Sequence, residues 1–215
     1  MNVNYPANGV DDITSELLFS TPLFRQSWPN DDELNGSLRE LILARERVST
    51  KGDREYSNVG GWHSPIDLHE TWDPDLRLVL ERGHALAVEA TGRLLGTAGK
   101  DRHYRFTQSA WANVSRQGDY NVPHVHMATW SAVYYVSVPT DCGMEPQAGG
   151  LELLDSRPAT TMLDMPGPFF ATRHFIKPQA GLMVLFPATL MHFVHPFRGA
   201  GERISIACDL TLAPA

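Results

Sequence analysis

The feature that most limits what this chain can fold into is a change of hydrophobic period near His103. From that point on, apolar and polar residues alternate in short runs, and segments rich in Gly and Pro separate these runs. The runs are HYRFTQSAWANV, TWSAVYYVSV, GLELL, GLMVLF and ERISIACDL. Alternation with a period of two is typical of strands that bury one face. The sequence therefore predicts antiparallel strands that close as a sandwich or barrel.

The first half of the chain has a helical period instead. The segment DDELNGSLRELILARERV predicts a helix with Asp31 or Asp32 as its N-cap. A second helix is predicted to begin with Asp73 as its N-cap and Pro74 at its first position. The segment LFSTPLFRQSWP predicts an opening strand. Helices first and strands later indicate a mainly β fold of the α+β class, with two helices covering one face of a β-roll.

We expect the chain of 215 residues to form a single domain. Residues 1–12 are predicted to be a loose leader and residues 13–100 to supply the opening strand and the helical cover. Residues 101–212 are predicted to form the β-core with a metal site. An edge strand or the helical cover could support a homodimer.

The composition excludes some classes of partner. A net charge of −7 argues against broad binding to nucleic acid or anionic membranes, because both need clustered Lys and Arg. Cys142 and Cys208 lack the spacing of a zinc site, and the longest apolar run, GLMVLFPATLM, is too short to span a bilayer. We therefore expect a cytoplasmic protein that acts on a small molecule or a peptide.

Two histidines, His124 and His126, stand two residues apart within YNVPHVHMATWSAVYYVSVP. Residues i and i+2 of a regular strand project from the same face, so the two imidazoles can converge on one point. His192 lies in a later β-run that can neighbour the first in a closed roll. Three ligands on one side of a metal ion leave the other side open for substrate and oxygen, as non-haem iron chemistry requires. His195 is out of phase with His192, so we do not predict it to be a ligand.

An anion site is predicted on the last strand. Arg203 and Ser205 share one face of ERISIACDL, where a guanidinium fork and a hydroxyl can hold a carboxylate. Ile204, Ile206 and Leu210 point the other way, into packing. An unpaired buried charge costs several kcal/mol, so an Arg on an interior strand is expected to face an anion.

These residues and their order resemble the double-stranded β-helix oxygenases that use Fe(II) and 2-oxoglutarate, a jelly-roll or cupin-like fold. The matching parts are YNVPHVHM, GGLELL and FPATLMHFVHPFRGAGERIS, and the resemblance covers residues 19–210. More narrowly, the chain is similar to a bacterial family of such oxygenases of roughly this length. The resemblance implies a dioxygenase that binds iron through His124, His126 and His192 and 2-oxoglutarate through Arg203 and Ser205. It also implies hydroxylation of a substrate with release of succinate and carbon dioxide.

One departure from the superfamily pattern concerns His126, which stands where an acidic ligand is expected. A site of three histidines is our first interpretation. Asp119 or Asp155 could instead supply a carboxylate, and His126 could contact the co-substrate rather than the metal.

Three further polar residues, Tyr120, Asn121 and Asn113, are predicted to line the pocket and help bind the co-substrate, although the first two could simply form a turn. Trp62 and Trp111 are predicted to belong to the core.

Two other functions remain open on the sequence. The first is a cupin-like three-histidine enzyme or metal-binding module that does not use 2-oxoglutarate, in which Arg203 contacts the substrate itself. The second is a binding domain without catalytic activity, in which the histidines are structural and long loops carry recognition.

Overall fold

A computed structural model describes residues 19–49, 56–96, 104–139, 145–157 and 171–214. The predicted leader over residues 1–12 lies outside these ranges. The described chain forms two antiparallel sheets and two long helices, in the order that the change of period predicts.

The larger sheet has six strands in the order β1-β9-β6-β11-β4-β3. Its strands are β1 (Phe24–Ser27), β3 (Trp62–His63), β4 (Tyr104–Ser115), β6 (Trp130–Ser137), β9 (Leu182–Pro187) and β11 (Arg203–Pro214). The pairing of β4 with β11 runs the full length of both strands, from Arg203 opposite Ser115 to Pro214 opposite Tyr104. This is the longest strand pairing in the sheet.

The smaller sheet has five short strands in the order β2-β5-β10-β7-β8. Its strands are β2 (Asn58–Val59), β5 (Tyr120–His124), β7 (Leu151–Leu154), β8 (Arg173–Ile176) and β10 (His192–Val194). The two sheets face each other, and the predicted double-stranded β-helix is confirmed. Three of these eleven strands, β2, β3 and β8, are not predicted by the sequence pattern.

The two predicted helices, α1 (Asp32–Val48) and α2 (Pro74–Leu95), cover the outer face of the larger sheet, and a short 3-10 helix spans Leu68–Glu70. Leu38 and Ile42 of α1 pack in the same buried cluster as Ile204 and Ile206 of β11. Helices and sheet therefore share one hydrophobic core, as predicted.

The N-termini of the two helices differ. Asp73 caps α2, because its Oδ1 accepts hydrogen bonds from the backbone N–H groups of Asp75 and Leu76, each at 3.0 Å. Asp31 occupies the N-cap position of α1 but makes no capping bond. Its carboxylate instead pairs with Arg82 of α2. The predicted N-cap position of Asp31 is therefore confirmed, but its carboxylate ties the two helices together instead of capping α1.

Candidate metal centre

Three histidines converge between the two sheets. His124 ends β5 and His192 begins β10, and the two residues are direct partners in the antiparallel register. His126 lies just after β5, where its backbone N–H donates to the carbonyl of Ala188 at 2.8 Å. One ring nitrogen of each histidine lies within 4.8 Å of those of the other two. The structure thus brings together the three residues that the sequence selects.

The reason for this convergence differs from the one predicted. Strand β5 stops at His124, and β6 begins only at Trp130. His126 therefore does not share a strand face with His124. It lies beyond the end of the strand, where the carbonyl of Ala188 anchors its backbone.

The second ring nitrogen of each histidine is already engaged. The Nδ1 of His124 lies 2.7 Å from the carbonyl oxygen of Val122, and the Nδ1 of His192 lies 2.8 Å from that of Leu190. A carbonyl can only accept, so each of these Nδ1 atoms carries the hydrogen and the lone pair is left on Nε2. Both imidazoles are thereby set in the tautomer that presents Nε2 to a ligand.

Burial keeps two of the imidazoles uncharged. It lowers the pKa of His192 to about 3, with a further contribution from the neighbouring His124. Burial also lowers the pKa of His124, helped by the nearby His126 and opposed by the bond to Val122. Neutral imidazole is the form that binds metal ions, so this group of nitrogens could hold a divalent cation near neutral pH.

A carboxylate that the sequence analysis overlooked completes this end of the site. The Nδ1 of His126 lies 2.7 and 2.9 Å from the two carboxylate oxygens of Asp209 on β11. Asp209 lies four residues after Ser205, in the same alternating phase as Arg203 and Ser205, and all three line one cavity. The alternation of β11 was thus a signal that could have found it.

The predicted anion site lies at the other end of this cavity. Arg203 is 2% exposed, and its Nε donates to the carbonyl of Gly149 at 2.8 Å. Its NH1 lies 3.4 Å from the hydroxyl of Ser205, and its guanidinium carbon lies 5.1 Å from the ring centre of Tyr135. Gly149 has φ +63°, and a Cβ there would lie 3.0 Å from Cδ of Arg203. A glycine is therefore required for the backbone to approach this guanidinium so closely.

Tyr135 adds a hydroxyl to the anion site. This oxygen is buried, and among the described residues it has no hydrogen-bond partner at ordinary geometry. Burial raises the pKa of the Tyr135 phenol, which stays a neutral donor. A buried guanidinium beside a buried, neutral hydroxyl fits a carboxylate, because both groups can donate hydrogen bonds to an anion.

One cavity of about 470 Å³ joins the histidines to Arg203. Asn113 and Asn121 line it, as predicted, whereas Tyr120 is not among its lining residues. Trp62 is buried in the core, but Trp111 lines the cavity and lies 5.4 Å from His126 between ring centres. Trp111 is buried, as predicted for a core residue, and one side of its ring also borders the site.

The two alternative carboxylates lie elsewhere. Asp119 accepts from the backbone N–H of Arg116 at 2.7 Å in a turn. Asp155 pairs with Arg157 beside a separate cavity of about 370 Å³. His195, expected to stay outside the site, lies 2.5 Å from a carboxylate oxygen of Glu152. None of these side chains lines the cavity that contains the three histidines.

Solved structures share this fold. A prolyl-4-hydroxylase from Pseudomonas putida superposes with a TM-score of 0.61 at 18% identity, over 90% of this chain and 94% of that one. A prolyl hydroxylase from Trichoplax adhaerens, in complex with a hypoxia-inducible factor peptide, gives a TM-score of 0.56 at 12% identity, over 88% and 83%. HygX from Streptomyces hygroscopicus, with nickel and 2-oxoglutarate bound, gives a TM-score of 0.53 at 14% identity, over 89% of this chain and 83% of that one.

The fold and the site together define a class, the non-haem iron dioxygenases that depend on 2-oxoglutarate, and the protein is an enzyme of this class. Residues 109–209 match the model of the family described as "Putative 2OG-Fe(II) oxygenase". This segment runs from β4 to β11 and contains all three histidines and Arg203. No curated protein matches the sequence significantly.

None of the helices in the described residues combines the length and the apolar character that a membrane crossing requires.

Proposed function

We propose that this enzyme hydroxylates a small molecule or a peptide, with conversion of 2-oxoglutarate to succinate and carbon dioxide. In this proposal His124, His126 and His192 hold Fe(II). Arg203 and Ser205 hold the distal carboxylate of 2-oxoglutarate. The observation that carries the proposal is a single cavity with three convergent imidazoles at one end and a buried guanidinium at the other.

The donor set fits an iron ion. Imidazole nitrogen is a good ligand for Fe(II), and three ligands from one side leave positions open for co-substrate and oxygen. Bound iron and 2-oxoglutarate would supply the oxidising chemistry of the class. The protein's own contribution is to keep His124 and His192 neutral and fixed in one tautomer.

The other end fits a dicarboxylic acid. The charge of Arg203 is buried, its fork is oriented by Gly149, and the hydroxyl of Tyr135 lies beside it. We propose Tyr135 as a further contact to the co-substrate. Asn113 and Asn121 line the wall between the two ends and can hydrogen-bond bound ligands. The proposed pocket contribution of Tyr120 loses support, because it does not line this cavity.

An anaerobic titration tests the proposal. Fe(II) and then 2-oxoglutarate are added to the metal-free protein, and the visible charge-transfer band of a keto-acid chelate is recorded. We expect the band in the native protein and its loss in His192→Ala and in Arg203→Met. His195→Ala is the matched control for the histidine, since it lies on the same segment but outside the cavity, and it should retain the band.

A second candidate function is favoured by one observation, the absence of a carboxylate from the three convergent side chains. A three-histidine enzyme could bind an acidic substrate at Arg203 without using 2-oxoglutarate. Iron binding without a charge-transfer band, and without release of succinate when 2-oxoglutarate is supplied, would favour this candidate over the first.

The likeness to prolyl hydroxylases suggests one class of substrate to test. The Trichoplax adhaerens neighbour has a peptide bound, so peptides belong in a substrate screen together with small metabolites. Succinate release above the rate without substrate would identify an accepted compound.

A further inference from the structure

His126 is held differently from the other two histidines. Backbone carbonyls fix the Nδ1 atoms of His124 and His192, whereas the carboxylate of Asp209 fixes that of His126. The His126 residue also lies outside the strands, so the pleat of a sheet does not aim its ring. Asp209 and the ring of Trp111 are therefore the groups that hold this imidazole in place.

The position of Asp209 on β11 makes it part of the site. Its register partners are Ser109 on β4 and Ser131 on β6, and all three line the cavity. Among the ion pairs of the described residues, Asp209 takes part only in that with His126. Among these ion pairs, the Asp209 carboxylate contacts no Lys or Arg side chain. Only the imidazole of His126 separates it from the proposed metal position.

The charge of this carboxylate matters for a metal held only by imidazoles. A set of two histidines and one carboxylate brings one negative charge to Fe(II), whereas three neutral histidines bring none. Asp209 brings that negative charge to the site indirectly, through its hydrogen bond to the imidazole of His126. A carboxylate that accepts from the second nitrogen of a ligating imidazole also raises the basicity of the first.

We propose that Asp209 is a positioning residue that aims Nε2 of His126 at the metal and supplies the negative charge that a carboxylate ligand would otherwise bring. This inference rests on the proposed function, because it requires the three histidines to bind a metal. It adds a fourth residue on which metal affinity depends.

The test uses Co(II) as the probe and the full-length protein without 2-oxoglutarate. Dissociation constants and visible absorption spectra are measured for the native protein, Asp209→Asn and Asp209→Ala. We expect both variants to bind Co(II) about 10- to 100-fold more weakly, with altered spectra. Asparagine can donate to Nδ1 as well as accept, and so permits the tautomer in which Nε2 carries a hydrogen and cannot bind metal.

Glu152→Gln is the matched control. Glu152 is a buried carboxylate that also pairs with a histidine, His195, but it does not line the cavity. The Glu152→Gln substitution should change neither the dissociation constant for Co(II) nor the absorption spectrum. Thermal unfolding of the metal-free proteins, followed by circular dichroism, shows how much each substitution affects folding itself.

The possible results separate the inference from the proposed function. Native-like Co(II) affinity and spectrum in both Asp209 variants would overturn the inference and leave a metal site of three histidines standing. Weakened binding in Asp209→Ala alone would retain the orienting role and overturn the role of the charge. If the native protein bound Co(II) no better than His192→Ala, the proposed metal site itself would be wrong.

Discussion

Two histidine–carboxylate pairs of similar geometry lie on different sides of the smaller sheet. His126 and Asp209 face the cavity at 2.7 Å, and His195 and Glu152 lie outside it at 2.5 Å. Their neighbours differ, because His126 has two other imidazoles about 5 Å away between ring centres, whereas His195 has the rings of Phe193 and Phe175.

The comparison teaches that a paired imidazole is not by itself a functional group. Two features distinguish the inner pair, namely convergence with other nitrogens and access to a cavity. In the outer pair the buried carboxylate of Glu152 contacts His195 and also Arg173. We call Glu152, Arg173 and His195 the outer cluster. Substitutions made in parallel in the cavity and in the outer cluster test this distinction.

The largest difference is expected between His192→Ala and His195→Ala. The first removes a nitrogen from the convergent group and should abolish measurable Co(II) binding, because two imidazoles without the third form a much weaker site. The second should leave the affinity within about twofold of native, because His195 does not line the cavity that contains the three convergent imidazoles. Isothermal titration calorimetry measures both. Equal losses in the two variants would contradict the distinction.

Next in size is the pair Arg203→Met and Arg173→Met. Removing a buried, hydrogen-bonded charge partner costs about 2 kcal/mol or more, which corresponds to a loss of about 30-fold or more in affinity. We expect this loss for 2-oxoglutarate with Arg203→Met. Arg173 is 68% exposed and contacts only the outer cluster among the described ion pairs, so Arg173→Met should bind 2-oxoglutarate normally. Displacement of a fluorescent co-substrate analogue would report both affinities.

The pH dependence of stability should also differ between the two sides. The pKa of His192 is lowered to about 3, below the value of 6.5 that it has when unfolded. Between these two pH values, His192 binds a proton in the unfolded chain but not in the folded chain. The metal-free protein therefore loses stability as pH falls from 6.5 toward 3. His192 alone contributes a slope of up to about 1.4 kcal/mol per pH unit.

Urea unfolding of the metal-free protein at pH 7.0, 6.0 and 5.0 measures this slope. His192→Phe should flatten it, and His195→Phe, which lies outside the cavity, is the comparison variant. An unchanged slope in His192→Phe would show that other groups govern the acid sensitivity.

The smallest effect is expected for Glu152→Ala. Glu152 is 3% exposed, and its removal leaves the polar groups of the outer cluster without their acceptor. We expect the free energy of unfolding to fall by about 1–3 kcal/mol, while Co(II) affinity stays native. Urea denaturation and calorimetry on the same sample give both quantities, and a parallel loss of metal binding would show that the outer cluster belongs to the site.

Much of the fold follows from local pattern. The change of period near His103 predicted the long strands, and Asp73 with Pro74 predicted the start of α2, because alternation and capping depend on residues close in sequence. Strands β2 and β3 escaped prediction because two residues are too few to show a period, and β8 escaped because its residues RHFI do not alternate between polar and apolar. Only pairing with distant strands defines them, as when Val59 lies opposite Tyr120.

The site was predictable to a similar degree. Arg203 and Ser205 were placed on one face by simple alternation, and the same rule extended by four residues would have included Asp209. The convergence of His126 could not be derived this way, because it depends on the contact with Ala188, which is far away in the sequence. The roles of these residues in binding iron and co-substrate stay predictions.

The register of β5 and β10 has a consequence for how long the folded protein resists degradation. His124 and His192 face each other across two short strands that are far apart along the chain. An ion held by both would act as a reversible cross-link that closes a long loop, and it would remove conformational entropy from any opened state. Metal supply would then set resistance to proteolysis as well as activity.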